Sequence, residues 1–271
     1  MKRIHCLLLI ACTIAPLVEG GENGKGIRSI GLAGVRAMLP GDPWALVHNP
    51  AALAWQPEIR ISAFMMPALF GIKELRTIAL CGSFSLAGEK VACGVEQFGF
   101  DLYRELSGTI GFGKVLANDL SAGFALEWRR TAIKGYGMSD ALVVSAGWIV
   151  EVAEGLHMGF SGDNILGETI GVNREPLPQR AAMGISFEPL SYTLFVLEGE
   201  KDIRHALTAK AALEIRLLDI LSLRSGISHD PDIVSAGLSV RYETAEFGYA
   251  ACGHAQLGWT HQIEVSVRLG E

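Results

Sequence analysis

After residue 20, this 271-residue sequence has no apolar run long enough to cross a bilayer as a helix, which takes about 20 residues. Basic residues are also few, because 23 Lys and Arg stand against 29 Asp and Glu, for a net charge of −6. We therefore expect no nucleic-acid partner, since no basic face is available to displace counterions from phosphates. The histidines lack metal-binding spacing, and neither a nucleophile elbow nor a phosphate loop occurs. The sequence predicts no enzyme, no catalytic residue, no cofactor and no metal site.

Cysteine is scarce too: only Cys81, Cys93 and Cys252 follow residue 20. If the chain turns near Gly88, Cys81 and Cys93 lie on the two arms of one hairpin in opposite side-chain phases. We then expect no disulfide between them. We interpret all three as ordinary strand residues.

The first residues have the pattern of an export signal. Lys2 and Arg3 precede a short apolar stretch, and compact residues ending at Gly20 suit a signal peptidase. This predicts a signal peptide over residues 1–20, cleaved near Gly20. An alternative cleavage before a lipidated Cys12 remains open, because the residues before it fit the lipoprotein pattern.

Two-residue alternation is the main pattern in the rest of the chain. It is clear over 77–86, 120–129 and 262–269, where apolar residues alternate with small, polar or charged ones. This period is typical of β-strands, whereas helices show spacings of three and four. The segments are about ten residues long, which suits tilted transmembrane strands, and we count about fourteen of them.

The polar phase of these strands carries charges that a wide barrel would direct into its lumen. A soluble periplasmic β-sandwich shows the same period with the faces reversed, so periodicity alone does not separate the two folds. The signal peptide and the number of strands favour the barrel over the sandwich. The predicted fold is therefore all-β, a transmembrane antiparallel β-barrel. The predicted lumen-facing charges are Glu127, Arg129, Glu214, Arg216, Arg241, Glu264 and Arg268.

The segment before the strands is too irregular to face lipid. Asp42 and Pro43 are predicted to begin a short helix, with Asp42 as its cap, and Asn49-Pro50 is predicted to end it. We therefore expect a short helical plug inside the barrel. The predicted organisation is a signal peptide over 1–20, a plug over 21–56 and a barrel over 57–271. The plug motif, which we interpret as structural, is Asp42, Asn49, Pro50, Ala51 and Leu53.

This motif resembles a known family. A Gly- and Ala-rich start at 31–37, then a short helix and Asn-Pro-Ala-x-Leu at 49–53, is similar to the N-terminus of PorV/PorQ-like and FadL-like outer-membrane proteins. The tail, at 223–226, 235–238 and 257–262, is similar to the last strands of PorV-like members. The matched parts cover about a third of the chain. The resemblance implies a fourteen-stranded barrel with an N-terminal plug.

The resemblance also implies two functions. FadL-like members take up hydrophobic molecules, and PorV-like members act as accessories of protein secretion; the tail favours the second. We expect a bacterial outer-membrane location with lipid around the barrel, and a hydrophobic ligand or secretion-system or envelope proteins as partners. The alternative is a structural barrel that anchors a cell-envelope complex.

Overall fold

The computed structural model describes residues 25–56 and 59–269. The predicted signal peptide over 1–20 and the candidate lipidation site Cys12 lie outside the described residues.

Fourteen strands form one closed antiparallel barrel, and two short strands form a separate two-stranded sheet. The barrel strands are β1 (Ile59–Met66), β2 (Thr77–Leu86), β3 (Glu89–Gly99), β4 (Tyr103–Ala117), β5 (Leu120–Ile133), β6 (Gly137–Ala153), β7 (Leu156–Asp163), β10 (Arg180–Leu190), β11 (Thr193–Asp202), β12 (Leu207–Leu217), β13 (Leu221–His229), β14 (Ile233–Tyr242), β15 (Ala245–His254) and β16 (Gly258–Leu269). The small sheet consists of β8 (Thr169–Ile170) and β9 (Glu175–Pro176).

Each barrel strand pairs with its neighbour in sequence, and β7 pairs with β10 around the small sheet. The barrel closes where β1 pairs with β16, with Phe64 opposite Glu264. The predicted barrel of about fourteen strands is confirmed. The alternative β-sandwich is wrong, because the fourteen long strands close into one barrel and do not form two sheets packed face to face.

The alternation of side chains places apolar residues outside and small or polar residues inside. In β2, Ile78 and Leu80 are about half exposed on the outer surface, while Ala79 and Cys81 are buried inside. Cys93 is exposed, on the face opposite to Cys81, and all three described cysteines are free, as predicted.

The two ends of the barrel differ in the length of their connections. On the side where β1 begins, the strands are joined by turns of two or three residues, such as 87–88 and 118–119. We call this side the turn end. On the other side, the loop end, the connections include 67–76 and 164–179, the latter containing β8 and β9. Transmembrane barrels show the same asymmetry, with short turns on the periplasmic side.

Residues 25–56 fill the barrel interior, and we call them the plug. They contain helix α1 (Ile27–Gly31), helix α2 (Ala45–His48) and a 3-10 helix (Pro50–Trp55). The predicted helix start at Asp42 is wrong, because α2 begins at Ala45 after Trp44 and has no side-chain cap. None of the helices in the described residues has the length and apolar character needed to cross a membrane.

Candidate functional site

The second half of the plug, residues 42–56, packs directly on the backbone of β4, β5 and β6. Glycines of the inward phase make this possible. A Cβ atom at Gly123 would lie 2.4 Å from the carbonyl carbon of Pro50, and one at Gly113 would lie 2.7 Å from the Pro50 oxygen. Both distances are far below van der Waals contact. These glycines therefore form the seat of the plug.

Asn49 fixes this half of the plug by hydrogen bonds. Its side-chain nitrogen donates to the backbone oxygens of Ala37 at 2.8 Å and Phe160 at 3.2 Å, and its side-chain oxygen accepts from Ala51 N at 3.1 Å. Asn49, Pro50, Ala51 and Leu53 are all buried. Asn49 thus joins both parts of the plug to the wall at β7.

The first half of the plug, residues 25–41, is held by charges on β11 and β12. Glu198 accepts hydrogen bonds from the backbone nitrogens of Arg36 at 2.9 Å and Ala37 at 2.7 Å. Lys210 Nζ donates to Gly34 O at 2.6 Å and to Glu198 at 3.1 Å. Glu198 and Lys210 are buried, and we call this pair the latch.

Two of the predicted lumen-facing charges also contact the plug. Glu264 accepts from Ile27 N at 2.9 Å and from Trp44 Nε1 at 3.0 Å. Glu214 accepts from Arg28 Nε at 2.9 Å. In this structure these carboxylates bind the plug rather than solvent.

The other predicted lumen-facing charges lie at the two ends of the barrel. Glu127 and Arg129 form an ion pair of 2.9 Å on β5, towards the loop end. At the turn end lie the other three, near the ends of β12, β14 and β16: Arg216, Arg241 and Arg268. Arg216 donates a hydrogen bond to Ser191 O at 2.7 Å.

Sequence reasoning missed the latch. Glu198 and Lys210 occupy the inward phase of their strands, so the alternation that identified Glu214 could have identified them. Arg28 and Arg36 pair with Glu214 and Asp163. They lie in the five-residue helix α1 and in the irregular backbone after it, where the two-residue alternation of the strands does not apply.

Asp42 is a buried carboxylate with no hydrogen-bond partner on either oxygen. His48 Nε2 lies 3.7 Å from it and 2.7 Å from the Lys25 carbonyl oxygen. Burial raises the pKa of Asp42 to about 7, and burial together with the charge of Arg36 lowers the pKa of His48 to about 3. Near neutral pH the imidazole is uncharged, so this contact is not an ion pair.

Replacing Asp42 with Asn is expected to stabilise the protein relative to wild type by an amount that grows with pH. Because the folded-state pKa of about 7 lies above the usual 3.8, the stability linked to Asp42 is fully present below about pH 4 and is lost as pH rises through about 7. The variant has no such loss. The difference in unfolding free energy between the variant and the wild type therefore grows by about 1.4 kcal/mol per pH unit between about pH 4 and pH 7. His48 is present in both proteins, so its contribution to the unfolding free energy cancels in the difference. Thermal unfolding of both at about pH 4, 6 and 8 measures this; a difference that does not change with pH contradicts it.

A cavity of about 60 Å³ lies at the loop end, between the plug and the wall. Its floor is formed by plug residues, among them Arg36 and His48, and its walls come from β3 to β7, β10 and the segment 164–179. Its lining includes eight charged side chains: Lys25, Arg36, Glu96, Glu105, Glu127, Arg129, Asp163 and Arg180. No group of three or more His, Cys, Asp or Glu residues within 25–56 and 59–269 is arranged to hold a metal ion.

No protein-family model matches this sequence, and no curated protein matches it either. Solved structures do match the fold. The Pseudomonas putida toluene transporter TodX has a TM-score of 0.67 and 11% identity, over 93% of this chain and 100% of TodX. The CymD monoaromatic hydrocarbon channel has a TM-score of 0.66 and 12% identity, over 92% of this chain and 98% of CymD.

A Pseudomonas aeruginosa FadL homologue is also similar, with a TM-score of 0.62 and 11% identity over 90% of this chain and 98% of the homologue. The chain has the fold of these channels. The FadL-like barrel fold that the N-terminal motif implied is thereby confirmed. At such low identity the similarity extends to the fold alone.

Proposed function

We propose that this protein is a plugged bacterial outer-membrane barrel that passes hydrophobic cargo when its plug moves. The observation that carries the proposal is the closed barrel itself, with an apolar outer surface and a plug that fills the interior. The predicted signal peptide supports export. The neighbours of the same fold include a toluene transporter and a monoaromatic hydrocarbon channel, which supports a hydrophobic cargo.

Strand β4 illustrates the proposed lipid-facing band. Its outward residues Leu106, Ile110 and Phe112 are apolar, and charged outward residues flank them, Arg104 on the side of the loop end and Lys114 on the side of the turn end. An apolar band between two polar rims is typical of a transmembrane barrel. In water, the same surface would expose apolar side chains all around the molecule.

Replacing Phe124 with Arg is expected to impair assembly in the membrane. Phe124 is 55% exposed on the outer surface of β5, where its ring lies 5.5 Å from that of Phe112. An arginine facing lipid costs up to about 2–4 kcal/mol, the full amount at the membrane midplane and less towards the interfaces. The measurement is the folded fraction in outer membranes, with Phe124→Leu as the apolar control. If the arginine variant assembles as well as the leucine variant, the surface does not face lipid.

Passage of cargo requires the plug to move, because the plug is packed against β4 to β6 and bound to β11, β12 and β16. The proposal is tested by toluene uptake in cells with the wild-type protein, without it, or with a variant that loosens the plug. We expect slower uptake without the protein and faster uptake with the loosened plug. Uptake that is equal in all three strains overturns the proposal.

A second candidate is an accessory of protein secretion, or a barrel that anchors an envelope complex. The PorV-like tail supports it, and so does the filled interior, because cargo or a partner bound at the rim needs no path through the barrel. Toluene uptake that is unaffected by deletion, together with an envelope protein recovered on the purified barrel, would favour this candidate over the first.

A further inference from the structure

Basic side chains form a row on the outer surface of the barrel at the loop end. Arg104 has the outward phase of Leu106 in β4. The ladder between β2 and β3 continues to Arg76, whose backbone oxygen accepts from Gly99 N at 3.0 Å, and Gly99 is opposite Arg104. Arg76 is exposed and precedes the buried, inward Thr77, so its side chain has the outward phase. Arg76 and Arg104 therefore flank a glycine on one face of the sheet.

Two more cations lie beside Arg104 on β5. The direct cross-strand partner of Arg104 is Ala132, and its diagonal neighbours on the same face are Arg130 and Lys134. Lys134 follows the end of β5 and is exposed, and its N donates to Leu102 O at 3.0 Å, which continues the ladder. Diagonal neighbours stand about 7–8 Å apart, within reach of long side chains. Four cations therefore share this surface, which we call the outer basic patch: Arg76, Arg104, Arg130 and Lys134.

The patch keeps a positive excess when the charged neighbours on its own surface are counted. Arg130 is fully paired, because Asp140 accepts from it at 2.8 Å and 3.0 Å. Asp101 lies 3.8 Å from Arg104, and its side chain is 90% exposed. Within residues 25–56 and 59–269, the other two cations of the patch have no ion pair. The charged residues on this part of the outer rim are five cations and three carboxylates, an excess of two positive charges: Lys73, Arg76, Arg104, Arg130, Lys134, Glu74, Asp101 and Asp140.

The carboxylates behind the patch belong to the loop-end cavity. Glu96 and Glu105 have the inward phase of β3 and β4 and line this cavity. Lys25 Nζ lies 2.9 Å from Glu96, and the carboxylate of Glu105 accepts a hydrogen bond from the Tyr103 hydroxyl. Both carboxylates therefore have partners inside the barrel and do not pair with the cations on its outer surface.

The patch lies at the level of the lipid headgroups of the outer leaflet. Arg104 flanks the apolar band of β4 on the side of the loop end, and the guanidinium carbon of Arg130 lies 5.0 Å from the ring centroid of Trp128. Tryptophan is enriched at membrane–water interfaces. Long connections are extracellular in transmembrane barrels, so the loop end faces the outer leaflet. In an outer membrane that leaflet contains lipopolysaccharide, whose lipid A carries phosphates at the headgroup level.

We propose that the outer basic patch binds the phosphates of lipid A, with the acyl chains of the same molecule along the apolar band of β4 and β5. Arginine suits phosphate because its planar N–H donors bind two oxygens at once, and Lys134 adds a point charge. Gly99 and Ala132 are small and leave room for a phosphate between the basic side chains. The inference rests on the proposed outer-membrane location and gives the barrel a lipid partner on its outer surface, distinct from the hydrocarbon cargo.

The test uses the protein expressed as the full chain, purified from outer membranes, freed of lipid by a detergent wash and titrated with lipid A. Native mass spectrometry counts the lipid A molecules on each barrel. The patch variant combines Arg104→Gln with Lys134→Gln, and the control variant combines Lys114→Gln with Lys201→Gln. Both variants lose two positive charges, but the control lysines are outward residues at the turn end of β4 and at the loop end of β11. A mobility shift between boiled and unboiled samples confirms that each variant folds.

We expect saturable binding of lipid A by the wild type and the control variant, and binding about tenfold or more weaker in the patch variant. Dephosphorylated lipid A, and phosphatidylglycerol with its single phosphodiester charge, should bind the wild type about tenfold or more weakly than lipid A does. Absence of saturable binding, equal binding by the two folded variants, or equal binding of either comparison lipid overturns the inference. A protein that never reaches the outer membrane overturns the proposed function as well, whereas an assembled barrel that fails these tests overturns the inference alone.

Discussion

Replacing Glu198 with Gln is expected to release the plug from the wall in an otherwise intact barrel. The glutamine keeps the size of the side chain, and its oxygen can still accept from the backbone nitrogens of Arg36 and Ala37, which both bond to Oε2. Its NH2 group then takes the place of Oε1 and faces the latch cation Lys210, which is left with one carboxylate fewer. Breaking a buried ion pair from one side costs about 3–5 kcal/mol. Since the latch joins the plug to the wall, most of this free energy should be lost from the docking of the plug in the barrel.

Two native cysteines show whether the plug is docked in the barrel, because the docked plug covers them. Cys81 is covered by the plug, with its Sγ atom 3.3 Å from Pro43 O, and Cys252 packs with Ile27 and Ile30 of α1. Maleimide labelling of both should accelerate about 100-fold or more, because the labelling rate follows the population of the open state. Cys93 lies on the outer surface, away from the plug, so a membrane-permeable maleimide should label it at the same rate in all variants, and it is the internal standard.

The matched control for the latch is Glu89→Gln. Glu89 pairs with Lys114 in a more exposed position, where an ion pair contributes about 0–1 kcal/mol. This variant should label like the wild type. If Glu198→Gln also labels like the wild type, the latch does not hold the plug.

Replacing Gly123 with Ala is expected to lift the second half of the plug from its seat. The added Cβ would lie 2.4 to 2.6 Å from three backbone atoms of Pro50 and Ala51, and backbone gives way less easily than a side chain. Overpacking of this kind costs about 1–3 kcal/mol, so labelling of Cys81 should rise by about fivefold to 150-fold.

Gly108→Ala is the control for this variant. A Cβ at Gly108 would lie 3.8 Å from the Trp128 ring on the outer surface, in ordinary contact. It should leave the labelling of Cys81 unchanged. Equal labelling in the Gly123 and Gly108 variants would show that the plug does not rest on this glycine.

The barrel was predictable from sequence because the wall repeats one pattern. Alternation of period two in segments such as 77–86 and 120–129 predicted both the strands and their faces. The number of strands followed from the length and spacing of these segments. The outward phase is apolar and the inward phase is polar or small, as this pattern predicted.

The plug could be predicted only in outline. Its irregular composition placed it inside protein, and Asn49-Pro50 marked the end of its helix. Its contacts with the wall did not follow, because the wall partners of Arg28, Arg36 and Asn49 lie 186, 127 and 111 residues away in sequence. The charged cavity was also missed, because its lining comes from the plug and from strands far apart in sequence.

The measurement that tests the account most directly is the heat modifiability of the protein in isolated outer membranes. The full chain is expressed, outer membranes are separated, and the gel mobility of boiled and unboiled samples is compared. A stable closed barrel predicts that the protein is found in this fraction and that its mobility shifts on boiling. A soluble periplasmic product whose mobility does not change on boiling would contradict it.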